Sequence, residues 1–125
     1  MSKELGQKLV ECLAQDDFVG LENLLTDEAV FTAASPEDTW RGKGKAQTME
    51  EIRSFFDPDE VISKIISFEY GELPDRSKLS YVLEGEEKSY GIFRYEHQVY
   101  FQVTDNRISQ LRMLCSGFFK PQKMI

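Results

Sequence analysis

Residues 95–114, YEHQVYFQVTDNRISQLRML, constrain the chain more than any other stretch. Side-chain character alternates with period two on both sides of Asp105-Asn106. That period marks a strand with one buried face. Asp and Asn tolerate the positive φ of a type I′ turn, so the stretch predicts a two-residue β-hairpin. Thr104 then lies opposite Arg107, and the remaining register follows by counting. Val103–Ile108, Phe101–Gln110, Val99–Arg112, His97–Leu114 and Tyr95–Ser116 fall on one face. Gln102–Ser109, Tyr100–Leu111, Gln98–Met113 and Glu96–Cys115 fall on the other. The first face is the more apolar and is expected to cover the core. A slip of one residue would exchange the two faces.

The rest of the chain supplies helices first and strands later. Residues 3–15 carry Leu5, Leu9, Cys12 and Leu13 at helical spacing, with Ser2 as N-cap. Asp16-Asp17 breaks this pattern and precedes a short second helix bearing Phe18, Leu21 and Leu25, which Thr26-Asp27 ends. AVFTA, 29–33, reads as a short strand. ASPEDTWRGKG, 34–44, reads as a loop because Pro36, Gly42 and Gly44 stand among polar residues. A third helix is expected over 45–56, with Ala46, Met49, Ile52 and Phe56 on one stripe and Pro58 marking its exit. Strands are expected from Val61, over 79–85, over 89–103 and over 107–119, with LPDRSK as a turn and the tail KPQKMI outside them. Helices segregated from an antiparallel meander make an α+β domain.

The chain has 125 residues, which suits one domain over 1–125. Its net charge of −7 argues against nucleic-acid binding, which requires a basic footprint. No apolar run approaches the ~20 residues of a membrane span, so no membrane partner is expected. The N-terminus carries acids and no continuous apolar segment, so it does not read as a signal peptide. Cys12 and Cys115 show no CxxC spacing and read as free thiols. The compartment expected from these features is the cytoplasm. No metal-ligand spacing or cofactor motif is present, so neither a metal nor a cofactor is expected.

The inner hairpin face mixes His97, Gln110, Arg112 and Ser116 with apolar side chains. A dry core rarely holds an arginine, because an unpaired buried charge is costly. Either an acid such as Asp27 or Glu28 pairs with Arg112, or a wet cavity opens there. In the second case His97 is a general base or hydrogen-bond donor, and Arg112 clamps a ligand carboxylate or phosphate. Otherwise His97 is a hydrogen-bonded core residue. Tyr95 and Gln110 flank the pair, and Trp40 either walls the pocket mouth or anchors the loop. The basic RGKGK, 41–45, precedes a helix N-terminus, yet reads as a solvated loop and lacks the Walker A spacing. Cys115, with Met113, Leu111 and Tyr100, is expected on an outer apolar strip that a partner covers.

Three segments resemble the nuclear transport factor 2-like superfamily, which includes the SnoaL-like polyketide cyclases. DDFVGLENLLTDEAVF resembles its helix–helix–strand opening, WRGKGKAQTMEEIRSFF its turn into the third helix, and YFQVTDNRISQLRMLCSGFF its final strand pair. The resemblance implies a cone: three N-terminal helices packed on a strongly curved, mostly antiparallel sheet around a cavity. It also implies a homodimer through the outer face of the sheet. Members include isomerases, cyclases, dehydratases, epoxide hydrolases and non-catalytic binding proteins, so the fold alone does not choose among them. The catalytic aspartate of the isomerases and cyclases has no counterpart on the inner face of the last two strands. The leading expectation is a small-molecule-binding protein, acting as a cofactor-independent isomerase, cyclase or dehydratase on a small hydrophobic or acidic ligand. The alternative is a non-catalytic binding or protein-interaction module whose pocket Phe93, Phe101 and Phe118 fill.

Overall fold

A computed structural model of the chain describes residues 2–56, 60–89 and 91–119, with the side chains of Phe118 and Phe119 outside the description. The exit at Pro58, the tail from Lys120 and the filling role of Phe118 therefore lie outside the described residues. Helices α1 (Ser2–Ala14) and α2 (Phe18–Asn23) lead into strands β1 (Leu25–Ala34) and β2 (Thr39–Lys43). Helix α3 (Lys45–Phe55) follows. Strands β3 (Val61–Glu72), β4 (Ser77–Glu87), β5 (Gly91–Thr104) and β6 (Arg107–Phe119) complete the described chain. The six strands form one open sheet in the order β2-β1-β6-β5-β4-β3. All neighbours are antiparallel except β1 and β6.

Local chemistry accounts for the boundaries. Asp17 caps α2 by accepting a hydrogen bond from the Gly20 N–H at 2.8 Å. The loop expected over 34–44 is a hairpin instead. Ser35 Oγ accepts from the Glu37 and Asp38 N–H groups, which closes a tight turn and sends Thr39–Lys43 back along β1. Its Pro and Gly residues mark the turn and a close approach, not a structureless segment. At Gly42 an added Cβ would lie 2.8 Å from the Thr48 Cα, so glycine lets α3 lie directly on β2. The Thr48 hydroxyl then donates to the buried Ala29 carbonyl at 3.0 Å. The third helix therefore follows two strands, and the helices are not all N-terminal to the sheet.

One face of the sheet and the helices enclose a single apolar cluster. Leu9, Leu13 and Leu21 from α1 and α2 and Met49 and Ile52 from α3 meet Phe31, Leu83, Phe93, Val99, Phe101 and Leu111 from the strands. On α1 the buried stripe is Gly6, Leu9, Val10 and Leu13, with Leu5 and Cys12 at its edge. Among the described residues no helix is long and apolar enough to cross a membrane.

The last hairpin forms as its turn chemistry predicts, with a different register beyond two pairs. Asp105 and Asn106 both have positive φ, and Thr104–Arg107 and Val103–Ile108 pair as expected. Ser109 is then an extra residue on β6, because the next pair is Gln102–Gln110. Such a β-bulge places two residues opposite one and reverses the faces beyond it. Leu111 and Met113 therefore point into the core, fully buried, and Gln110, Arg112 and Leu114 point outward. A second bulge at Ser116 follows, because Cys115 pairs with His97 and Gly117 with Glu96. Both bulged serines donate to carbonyls of β5, Ser109 to Gln102 and Ser116 to Glu96. The hydroxyls bond where the ladder is interrupted.

Candidate functional site

His97 lies mid-strand on β5, on the inner face, with 1% of its surface exposed. Its ring is surrounded by Phe55, Phe56, Tyr81 and Tyr95, with centroids 5.2–5.5 Å away. The Tyr81 hydroxyl lies 2.9 Å from Nδ1. Nε2 has no hydrogen-bond partner among the described residues. Burial in this apolar shell lowers the His97 pKa to about 3, so the imidazole is neutral near pH 7. The same burial raises the Tyr81 pKa, so its hydroxyl stays protonated.

A cavity of about 700 Å³ opens beside this ring. Trp40, Phe55, Tyr95, His97 and Cys115 line it with Glu37, Glu60 and small polar residues. Three of the residues singled out from sequence meet here: His97, Tyr95 and Trp40. Trp40 is half-buried on β2 and packs edge-to-face on Phe55 at 4.9 Å, so it both walls the cavity and anchors its strand to α3.

Arg112 and Gln110 do not join them. The Ser109 bulge turns both to the opposite face of the sheet. There the Arg112 guanidinium lies 5.1 Å from the Tyr100 ring centroid, a cation–π contact that takes the place of the expected carboxylate. Asp27, one acid considered for it, pairs with Lys45 at 3.2 Å. Cys115 moves the other way. It pairs with His97 across β5 and β6 and lines the cavity, where burial raises its pKa. In the basic run 41–45 two of the backbone N–H groups before α3 are already engaged within the chain. Gly44 N–H donates to Ala29 and Lys43 N–H to the Gln47 side chain.

A carboxylate, missing from the inner face of the last two strands, reaches the cavity from another segment. Glu60, immediately before β3, is half-buried on the cavity wall and accepts a short hydrogen bond from the Tyr95 hydroxyl. Sequence reasoning sought this carboxylate on the inner face of the final hairpin. The available signal was an acid directly preceding the β-rich segment that starts at Val61. Among the described residues, no group of three potential metal ligands converges.

The sequence matches no family model and no curated protein. Solved structures do match. A candidate isomerase from Bacillus subtilis superposes with TM-score 0.77 at 19% identity, covering 90% of this chain and 84% of its own. This chain has the nuclear transport factor 2-like fold. A candidate polyketide cyclase from Xanthomonas campestris also shares this fold, with TM-score 0.71 at 14% identity and coverage of 90% and 88%. So does an LEH-like epoxide hydrolase from M. tuberculosis, with TM-score 0.66 at 17% identity and coverage of 90% and 80%. At these identities the likeness establishes the nuclear transport factor 2-like fold, and the chemistry must come from the site itself.

Proposed function

We propose that the protein binds a small, largely apolar molecule in the cavity beside His97 and moves a proton on it. The observation that carries this reading is the buried, unpartnered Nε2 of His97, a residue that lines a cavity of about 700 Å³. A buried polar atom left unsatisfied costs about 1–3 kcal/mol, so its persistence beside a cavity points to a ligand contact. Glu60 is the proton acceptor, a carboxylate at the cavity wall oriented by Tyr95. His97, held neutral, offers one hydrogen bond to a ligand heteroatom. This assignment moves the polar centre from His97–Arg112 to His97–Tyr95–Glu60. It favours the isomerase, cyclase or dehydratase class, for which a positioned carboxylate and hydrogen bonds suffice. The cone-shaped enclosure implied by the resemblance belongs to this reading.

The test is a thermal-shift screen of small aromatic and alicyclic compounds on wild type, Glu60→Gln, and His97→Phe paired with Tyr81→Phe. Hits should stabilise wild type and lose most of their effect in the His97 pair variant. Equal shifts in all three proteins, or no hits at all, would remove the proposed site. Loss of turnover with retained binding in Glu60→Gln would separate an enzyme from a binding module.

The homodimer through the outer face is a further part of the reading. Its support changes with the register, because Leu111 and Met113 are interior. The outer face instead presents Val82, Tyr100 and Leu114, with Arg41 and Arg112 towards one edge and Glu86 and Glu96 towards the other. A twofold apposition brings opposite charges together. Sedimentation at micromolar concentration tests it, and a stable monomer overturns it.

A further inference from the structure

The hydrogen bond between Tyr81 and His97 decides which kind of group the cavity recognises, an inference that rests on the binding reading above. The bond has two possible directions. Either the Tyr81 hydroxyl donates to the Nδ1 lone pair, or Nδ1–H donates to the Tyr81 oxygen. A neutral imidazole has one N–H and one lone pair, so the direction also fixes what Nε2 carries.

Satisfaction of buried groups selects the first direction. Both side chains are buried. Among the described residues, His97 Nδ1 is the one hydrogen-bond partner of the Tyr81 hydroxyl. Donation by Nδ1–H would strand two groups, the Tyr81 O–H and the Nε2 lone pair. Donation by the hydroxyl leaves one, Nε2–H, and burying fewer unsatisfied groups costs less. Acid strength agrees. A phenol is the better donor of the two, and an imidazole nitrogen is a far stronger base than a phenolic oxygen.

Neighbouring polar groups do not compete for this bond. The Tyr95 hydroxyl donates to Glu60. The Cys115 thiol, paired with His97 across β5 and β6, donates to the Gly117 carbonyl at 3.7 Å. Nε2–H is then a buried donor without a partner, on a residue that lines the cavity. Tyr81 is not among the lining residues, so it reaches a ligand only through His97.

We propose that Tyr81 is a positioning residue that fixes His97 as the Nε2–H tautomer, and that the cavity selects a flat apolar molecule presenting a hydrogen-bond acceptor to this ring. Trp40, Phe55 and Tyr95 supply the aromatic wall for the apolar body. The acceptor is an oxygen or an unprotonated ring nitrogen, and a group that only donates is disfavoured.

Two measurements on the full chain at pH 8 test this. The first is nitrogen-15 NMR with label in the single histidine of the sequence. The protonated ring nitrogen resonates well upfield of the bare one, and couplings to the carbon-bound ring protons tell which is which. Wild type should show one tautomer, with the proton on Nε2. A proton on Nδ1 overturns the inference and leaves the pocket reading intact. The second is calorimetric titration with isoquinoline, naphthalene and indole, which offer an acceptor, neither group and a donor on similar flat frames. Isoquinoline should bind about three- to tenfold tighter than naphthalene, the size of one net hydrogen bond. Indole should bind more weakly than isoquinoline. Equal binding of isoquinoline and naphthalene, or tighter binding of indole, overturns the acceptor preference and again leaves the pocket standing. If none of the three binds, the pocket reading falls and the preference with it. The wild-type spectrum and probe series decide the tautomer without any variant. Tyr81→Phe then tests the positioning role. Both tautomers should populate, and the isoquinoline preference should fall about twofold as the competent fraction drops. A single Nε2–H tautomer with an unchanged preference in this variant overturns the role of Tyr81, whereas a loss of packing alone would weaken all three probes alike.

Discussion

Tyr81 and His97 face each other across β4 and β5, with 2.9 Å between Tyr81 Oη and His97 Nδ1. Both side chains are essentially inaccessible to solvent. The pair sets how the fold responds to acid. Burial lowers the folded-state His97 pKa to about 3, against an ordinary value of 6.5. As pH falls below 6.5 the unfolded chain takes up this proton first, so protonation favours unfolding. The contribution to stability is complete above pH 6.5 and is lost progressively towards pH 3, at up to ~1.4 kcal/mol per pH unit. Urea unfolding at pH 7.5 and 4.5 should show wild type losing about 2 kcal/mol more than the His97→Phe, Tyr81→Phe variant. Equal losses would mean that the histidine is solvated or paired.

Tyr95 donates its hydroxyl hydrogen bond to the half-buried Glu60. Hydrogen bonds to charged groups contribute about 1.5–3 kcal/mol. Tyr95→Phe should lower unfolding stability by roughly 1–2 kcal/mol, around the bottom of that range because Glu60 keeps some contact with solvent. The same variant should weaken any ligand that depends on Glu60. Chemical denaturation together with ligand titration checks both effects, and unchanged stability would show that the bond does not persist in solution.

Gly42 is required by packing between β2 and α3. A methyl group there meets backbone atoms of Thr48 at 2.8 and 2.9 Å, where no flexible side chain can yield. Gly42→Ala should cost about 1–3 kcal/mol, as overpacking does elsewhere, and should disturb the cavity wall through Trp40 and Phe55. Denaturation midpoints measure the first effect, and tryptophan fluorescence reports the second because Trp40 is the one tryptophan of the chain.

The register of the final hairpin is open to direct test. Arg112 is exposed on the outer face, so Arg112→Ala should change stability by no more than about 1 kcal/mol, the scale of an exposed cation–π contact. It should leave ligand binding at His97 unchanged. Deleting Ser109 removes the extra residue and leaves Ile108, Leu111 and Met113 inward and Gln110 and Arg112 outward in an uninterrupted ladder. That variant should still fold, as judged by circular dichroism. An unfolded deletion, or an arginine variant that loses ligand binding, would favour the unbulged register, in which the deletion would exchange the two faces.

Much of the architecture is legible in the sequence because it depends on local rules. Period-two alternation along β5 identifies Tyr95, His97, Val99 and Phe101 as one face, and all four are buried. Asp105-Asn106 specifies the turn, and helical spacing places Leu9 and Leu13 inside. The order of elements suffices for the nuclear transport factor 2-like resemblance. What the sequence alone leaves undecided depends on small offsets and on residues distant along the chain. One extra residue, Ser109, sends Arg112 outward and brings Cys115 inward, because side-chain direction along a strand reverses at every step. The carboxylate at the cavity comes from Glu60, some 35 residues before its Tyr95 partner. Only the tertiary structure brings these two residues together, since strand periodicity specifies which face a residue occupies and not which distant segment closes over it.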